Sequence, residues 1–318
     1  MNNLLLYFCL SIALIPLLMC AEKPGRGKWF NEAKYGVFVH FLGGGADWNR
    51  KVDSFNVASF VRQLEQTGAD YLIFTLGQNS GYYCSPNATY EQYAGYKAGE
   101  RCSKRDLPLE LAAALSQKGI KLMLYLPSHS PQTDHKAMTG LSDVDQMQPA
   151  PQQFTRKWSD VIREWSLRYG SKVAGWWFDG AYNTAGWDDL NQAYNWETWA
   201  DACRAGNPES ILAFNPGVEN AFQKLCPQQD YTSGERNDFD SLPATSSEAD
   251  LQWHVLSYLG TWWCKADGPR HSDQWMIDYI QKVNEQGGVV SIDVHVDEYG
   301  AIYPPHLQQL IAIAKALR

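Results

Sequence analysis

Short apolar runs alternate with amphipathic stretches of helix length from Trp29 to the end of this 318-residue chain. This alternation is typical of βαβ units, which build a parallel sheet with helices packed outside it. The apolar runs predict eight strands: 35–41, 70–77, 121–126, 173–179, 211–215, 230–233, 258–263 and 289–294. Helical periodicity is clearest in six stretches: 57–66, 107–118, 154–169, 196–205, 273–286 and 305–317.

Eight strands that alternate with helices predict an α/β fold, a single (β/α)8 barrel over residues 27–318. Glycines follow most of the predicted helices, as expected of C-caps, at positions 68, 119, 170, 206 and 287–288. No linker, repeat or low-complexity segment divides the chain. Residues 128–153 are expected to form a loop on the face where barrels place their active sites.

The charge and aromatic content limit the classes of ligand. The net charge is -8 and no cluster of Lys and Arg is present, which argues against a nucleic-acid partner. The 13 Trp and 17 Tyr suit both a large core and a sugar-binding cleft. No Cys-x-x-Cys or His-x-x-x-His spacing predicts a metal site, and no cofactor is expected.

The N-terminal residues 1–20 form an apolar run that is too short for a stable membrane span and is typical of a secretory signal peptide. Leu17-Leu18-Met19-Cys20 also resembles a bacterial lipoprotein cleavage box. Export is therefore expected, to the periplasm, the outer membrane or the medium. Membrane anchoring is expected only through a lipidated Cys20, and the oligomeric state is left open.

Five cysteines remain after the predicted signal peptide, and two interpretations of them stay open. Because export permits disulfides, Cys84 with Cys102 and Cys203 with Cys226 are candidate pairs. Alternatively, these residues are buried free thiols.

Polar residues follow nearly every predicted strand. Because the carboxyl ends of parallel strands meet at one end of a barrel, these side chains are expected to converge on a polar ligand. They are His40, Gln78, Asn79, Ser128, His129, Asp179, Asn215, Glu235, Asp293 and His295.

Asp179 ends the aromatic run 173–179 and is followed by a glycine. Glycoside hydrolysis needs two carboxyl groups on either side of the scissile bond, and Asp179 is the obvious first. Glu235 is the preferred second, with Glu248 and Asp267 as alternatives. A purely structural interpretation is that Asp179 caps the next turn.

Three segments carry a resemblance to a known family. Residues 29–40 read WFNEAKYGVFVH, residues 177–180 read WFDG, and residues 287–293 read GGVVSID. In this order they resemble the catalytic barrel of the glycoside hydrolase family 29 α-L-fucosidases. The C-terminal β-sandwich usual in that family is expected to be absent, because the sequence stops at Arg318.

The resemblance implies that Asp179 is the nucleophile of a retaining mechanism. Glu235, in a Tyr-Thr-x-x-Glu context like that of the family, is expected to be the acid/base. The predicted substrate-binding residues are His40, Trp48, Gln78, Asn79, Tyr125, His129, Trp177, Trp263 and His295.

Three departures from the family pattern affect residues expected to recognise the sugar, not the residues expected to carry out catalysis. Gln78-Asn79 replaces an adjacent pair of histidines, Phe41 replaces a tryptophan after His40, and His295 stands where the family has a glycine. L-Fucose itself is therefore in question as the substrate.

Together these observations predict a secreted retaining glycoside hydrolase that resembles α-L-fucosidases and acts on a fucose-like or other sugar of a complex glycan. The alternative is a carbohydrate-binding barrel that has lost catalysis. A barrel acting on a phosphorylated metabolite is less well supported, because no Gly-rich phosphate cradle follows the last strands.

Overall fold

A curled parallel sheet forms the centre of the computed structural model, which describes residues 25–243 and 251–317. Its seven strands lie in the order β5-β4-β3-β2-β1-β7-β6, and every neighbouring pair is parallel. The strands are β1 Tyr35–Val39, β2 Tyr71–Thr75, β3 Lys121–Pro127, β4 Val173–Asp179, β5 Ile211–Phe214, β6 His254–Tyr258 and β7 Val289–Val294.

Ten α-helices flank this sheet within the described residues. They are α1 Lys28–Glu32, α2 Trp48–Ser54, α3 Val57–Thr67, α4 Ala88–Ala94, α5 Leu107–Ser116, α6 His135–Leu141, α7 Gln152–Tyr169, α8 Trp196–Arg204, α9 Asp273–Glu285 and α10 Pro304–Leu317. All six helices predicted from periodicity are confirmed, with ends that differ by no more than two residues. None of the helices in the described part of the chain is long and apolar enough to cross a membrane.

Successive strand residues face two different apolar clusters. In β4, Trp176 and Phe178 pack with the helices, whereas Trp177 lies in the barrel interior with Phe38 and Tyr125. This period of two follows from the pleat of a strand. Because Asp179 is two residues after Trp177, it continues the interior row at the carboxyl end of the sheet.

The predicted barrel fold is confirmed as a (β/α)8-like fold, but the predicted strand 230–233 is not a regular strand. The backbone of this segment donates from Asp230 N to Leu212 O in β5 (2.9 Å). It accepts from Leu256 N in β6 at Gly234 O (2.8 Å). The segment therefore occupies the eighth position between β5 and β6, with only isolated bridges to its neighbours.

Side chains take over the hydrogen bonds that a regular ladder would make here. Asp230 Oδ2 accepts from Leu212 N (2.9 Å), and Thr232 Oγ1 donates to His254 O (2.6 Å). Gly234 has a φ of 71°, and a Cβ at this position would lie 2.2 Å from His254 O. A left-handed residue in close backbone contact breaks the extended geometry, and only glycine fits.

Two other predicted boundaries are wrong. The strand predicted at 258–263 shares only Tyr258 with β6, which runs from His254 to Tyr258, and the aromatic residues after Tyr258 belong to a loop. Thr261 turns that loop by donating its backbone N–H to Asp267 Oδ1 (3.0 Å). The predicted loop 128–153 contains helix α6, which starts where Asp134 accepts from Ala137 N (3.1 Å) as an N-cap.

The five cysteines of the described residues are free thiols, so neither candidate disulfide is present. Four are buried, and Cys264 is partly exposed. Cys84 Sγ donates to Thr75 O (3.4 Å), and Cys102 Sγ donates to Asn87 O (3.7 Å). The predicted signal peptide, with Cys20, lies outside the described residues.

Candidate active site

Asp179 occupies the carboxyl end of β4 and is held by two hydrogen bonds. Tyr125 OH donates to Asp179 Oδ2 (2.7 Å), and Asn215 Nδ2 donates to Asp179 Oδ1 (2.9 Å). Gln78 Nε2 donates to the Tyr125 oxygen in turn (2.7 Å). Both carboxylate oxygens are thus engaged by donors from β3 and the end of β5, which restrict the rotation of the group.

A second carboxyl group, that of Glu235, shares a donor with Asp179. Asn215 Nδ2 also donates to Glu235 Oε2. Because one nitrogen is within hydrogen-bonding distance of both groups, the two bridged oxygens lie no more than about 6 Å apart. The irregular segment 230–236 makes this possible, because it carries Glu235 to the end of the barrel beside Leu256.

The surroundings of Glu235 favour its neutral form. Burial and, to a lesser extent, the nearby charge of Asp179 raise the pKa of Glu235 to about 7, although the Asn215 hydrogen bond and His40 oppose the shift. A carboxyl group with a raised pKa beside a second carboxyl group is the arrangement in which one group can donate a proton near neutral pH.

Asp179 and Glu235 border a cavity of about 340 Å³ at the carboxyl end of the sheet. A volume of this order is in the range of small-ligand sites. Its walls combine aromatic side chains with a few polar groups. The lining residues are Phe38, His40, Leu42, Gln78, Tyr125, Trp177, Asp179, Glu235, Leu256, Trp262, Trp263, Cys264 and Lys265.

Aromatic rings form the floor of this cavity. Trp177 stacks on Tyr125 with ring centroids 5.4 Å apart and an interplanar angle of 18°. Its indole Nε1 donates to Ser233 O (2.9 Å), which ties β4 to the segment that carries Glu235. Trp263 contacts His40 edge to face at 5.7 Å. The floor is therefore rigid and apolar, with polar groups only at defined positions.

His40 is oriented by a buried carboxylate. Its Nδ1 lies 2.7 Å from Asp293 Oδ1, and Asp293 Oδ2 accepts from Cys264 N (2.6 Å). Since Asp293 engages Nδ1, Nε2 is the ring nitrogen that remains for a ligand in the cavity. His295 stabilises the part of the cavity that Cys264 lines, because its Nδ1 lies 2.7 Å from Cys264 O.

Four predicted binding residues, Trp48, Asn79, His129 and His295, do not line the cavity. Trp48 is 2% exposed and packs on Phe41, and its Nε1 donates to Tyr83 O (2.8 Å). His129 is buried, with Nδ1 3.0 Å from Asp143 Oδ1. Asn79 accepts from Thr133 N through its backbone oxygen (3.1 Å). Asn79 and His129 follow strands as predicted, whereas Trp48 begins helix α2, and the contacts given above are with neighbouring loops and helices.

Of the two alternative acids, Asp267 is less well placed than Glu235. Asp267 accepts from the Thr261 backbone and hydroxyl within its own loop, and it does not line the cavity. Glu248 lies outside the described residues.

Several residues of the site were not predicted as functional. The sequence indicates Asn215 only as a polar residue after a strand, and it predicts no substrate-binding role for Trp262, Cys264 or Lys265. Tyr182 lies close enough to Asp179 and Glu235 that burial and these charges raise its pKa to about 12. Its position three residues after Asp179 is the signal that could have identified it.

Comparison with known proteins decides the family. The family profile described as Alpha-L-fucosidase matches residues 46–318. The chain belongs to the α-L-fucosidase family. No curated protein sequence matches it.

Solved structures of fucosidases and fucoidan hydrolases share the fold of this α-L-fucosidase family member. An endo-fucoidan hydrolase of glycoside hydrolase family 107 is 16% identical with a TM-score of 0.71, and the match covers 92% of this chain and 54% of that one. An α-L-fucosidase with 4-nitrophenyl α-L-fucopyranoside bound is 17% identical, with a TM-score of 0.63 and coverage of 92% and 98%.

A family 29 α-L-fucosidase from Bacteroides thetaiotaomicron is 15% identical with a TM-score of 0.61, and the match covers 89% of this chain and 71% of that one. The chain spans only about half the length of the endo-fucoidan hydrolase above. The family is described by a glycoside hydrolase activity, that of α-L-fucosidases.

Proposed function

We propose that this glycoside hydrolase is a retaining enzyme that removes a fucose-like sugar from a glycan, with Asp179 as the nucleophile and Glu235 as the acid/base. The observation that carries the proposal is the single Asn215 amide that donates to both carboxyl groups. Retaining glycosidases hold these groups about 5–5.5 Å apart, and inverting enzymes leave about 6.5–9.5 Å for a water molecule. A shared donor favours the shorter spacing.

In the first step, Asp179 Oδ attacks the anomeric carbon as the bond to the leaving oxygen breaks. Glu235 gives its proton to that oxygen, and a glycosyl ester of Asp179 results. In the second step, Glu235 takes a proton from water, which attacks the same carbon and releases Asp179. Tyr125 and Asn215 donate to Asp179 throughout and stabilise its charge when it departs.

The fucose-like sugar is proposed from the family and from the substrates named for the related structures. Export is proposed from residues 1–20 and rests on their sequence alone.

Aryl glycosides provide the direct test. We expect 4-nitrophenyl α-L-fucoside, or the aryl glycoside of a closely related sugar, to be hydrolysed with the α-anomer as the first product in proton NMR. First appearance of the β-anomer would contradict retention. Sugar binding in calorimetry without release from any aryl glycoside would instead support the carbohydrate-binding barrel.

The pH dependence of kcat/KM should reveal the pKa of the general acid. Because the raised pKa of Glu235 is about 7, the group holds its proton below pH 7 and loses it above. We therefore expect kcat/KM to fall about tenfold per pH unit above 7, since only the protonated form can assist the leaving oxygen. A pH profile of kcat/KM in constant ionic strength tests this. A rate that stays level to pH 9 would exclude Glu235 as the general acid.

A further inference from the structure

The loop after β6 places an exposed aromatic ring and a free cation together at the mouth of the cavity. Trp262 and Lys265 both line it, and Trp262 is 53% exposed. Trp263 lies deeper, against His40 and Tyr258. The two outer residues take no part in the chemistry assigned to Asp179 and Glu235.

The loop is fixed by hydrogen bonds on both sides of Trp262. Thr261 N donates to Asp267 Oδ1 (3.0 Å), Cys264 N donates to Asp293 Oδ2 (2.6 Å), and His306 Nε2 lies 2.8 Å from Asp267 O. Cys264 adopts a φ of 49°, which a side chain with a Cβ rarely does. A non-glycine residue held in this conformation indicates that the surrounding structure determines the loop. Trp262 is therefore presented by an ordered segment.

Much of the Trp262 ring is left open. It makes one tilted contact, with Tyr258, at a centroid distance of 5.5 Å and an angle of 51°. A large aromatic side chain at the rim of a polar cavity provides a flat apolar surface on which the C–H face of a sugar ring can pack.

Lys265 is exposed and forms no ion pair among the described residues. The other lysine near this rim, Lys51, already donates to Leu42 O (2.6 Å). Because the Asp179 carboxylate borders the cavity in a chain of net charge -8, an anionic substrate would be repelled without a compensating cation. Lys265 supplies that cation at the mouth.

We propose that Trp262 and Lys265 form a leaving-group subsite for a sugar residue that carries an anionic substituent. The inference rests on the proposed function: with the anomeric carbon at Asp179, the reacting sugar fills the inner cavity and the departing part extends past the rim. Trp262 packs on the ring of that part, and Lys265 pairs with its anionic oxygens. A sulfate ester and a uronate carboxylate share this chemistry.

Four substrates that contain the hydrolysed sugar separate these contributions. They are the glycosyl fluoride, which has no leaving ring, a neutral disaccharide, and two anionic disaccharides, one with a sulfate ester on the leaving residue and one with a uronic acid as the leaving residue. For Trp262→Ala we expect kcat/KM to fall about tenfold more for the disaccharides than for the fluoride. For Lys265→Gln we expect kcat/KM to fall about fivefold for the anionic disaccharides only, and 0.5 M salt should remove this difference from the wild-type protein.

The matched controls are Trp275→Ala, on α9, and Lys121→Gln, at the opposite end of the sheet on β3, which should change no substrate preference. Equal losses for fluoride and disaccharides in Trp262→Ala would overturn the subsite, and an unchanged anionic preference in Lys265→Gln would overturn its charge selectivity. A stronger effect with sulfate or with uronate identifies the natural substituent.

The proposed function can fail separately. If the wild-type protein hydrolyses neither the fluoride nor a disaccharide, the hydrolase proposal is wrong. Calorimetric binding of the anionic disaccharide to wild type and Lys265→Gln then still decides whether the subsite exists, because equal affinities would contradict it.

Discussion

Asp179→Asn is expected to lower kcat by a factor on the order of 10⁴ while the protein remains folded, because an amide cannot form the glycosyl ester. The substitution changes no volume, and the Asn side chain can keep one acceptor oxygen toward Tyr125 or Asn215. Initial rates with an aryl glycoside, together with circular dichroism and thermal unfolding, measure the two parts of this result.

A covalent label tests directly whether Asp179 is the nucleophile. A 2-deoxy-2-fluoro glycoside with a good leaving group should react once with the wild-type protein and add the sugar mass to the peptide that contains Asp179. The same peptide of Asp179→Asn should stay unlabelled. The matched control is Asp189→Asn, which removes an exposed carboxylate of the same loop and should change neither rate nor label. A rate near that of wild type in Asp179→Asn would refute the nucleophile.

Glu235→Gln is expected to have the second largest effect, and its size should depend on the leaving group. A poor leaving group needs the proton that Glu235 gives, so kcat/KM for a disaccharide should fall by a factor of about 10² to 10⁴. A glycosyl fluoride or dinitrophenyl glycoside needs less help and should lose much less. The fall in rate above pH 7 should also disappear, since the group whose pKa is raised to about 7 is gone.

Rates for a series of aryl glycosides with leaving groups of decreasing acidity test this prediction. In Glu235→Gln the logarithm of kcat/KM should depend more steeply on leaving-group pKa than in wild type. Glu219→Gln, an exposed position after β5, serves as the control and should leave the slope unchanged. A loss of the same size for every leaving group would exclude Glu235, and Glu248 and Asp267 would then be the acids to test.

The helices could be predicted from the sequence more closely than the strands. Amphipathic helices such as α3 and α7 carry a period that persists over many residues, so their ends could be predicted closely. The strands β1 to β5 and β7 are buried on both faces and read as apolar runs. Residues 259–263 continue the apolar and aromatic run of β6, yet they form a loop because Thr261 and Cys264 bond to Asp267 and Asp293 instead of to a neighbouring strand.

The candidate site also contains residues that could be predicted from the sequence and residues that could not. Asp179 could be placed from its own strand, because a residue two positions after an inward-facing Trp177 faces inward as well. Trp48 and His129 could not be separated from His40 and Tyr125 in this way. Trp48 begins helix α2, and the other three lie in strands or follow them. Only the partners of each side chain, such as Tyr83 O for Trp48, decide whether it reaches the cavity or packs beneath a loop.

Local periodicity by itself therefore determined the barrel, six of its helices and the position of Asp179, because these depend on residues close together in the chain. The tertiary structure alone decided the irregular eighth position that carries Glu235, the Asn215 amide between the two carboxyl groups, and the rim of Trp262 and Lys265. These features arise from contacts between segments 20 or more residues apart, such as Asn215 with Asp179 and with Glu235. Burial and the charge of Asp179, which raise the pKa of Glu235, exist only after those segments have packed together.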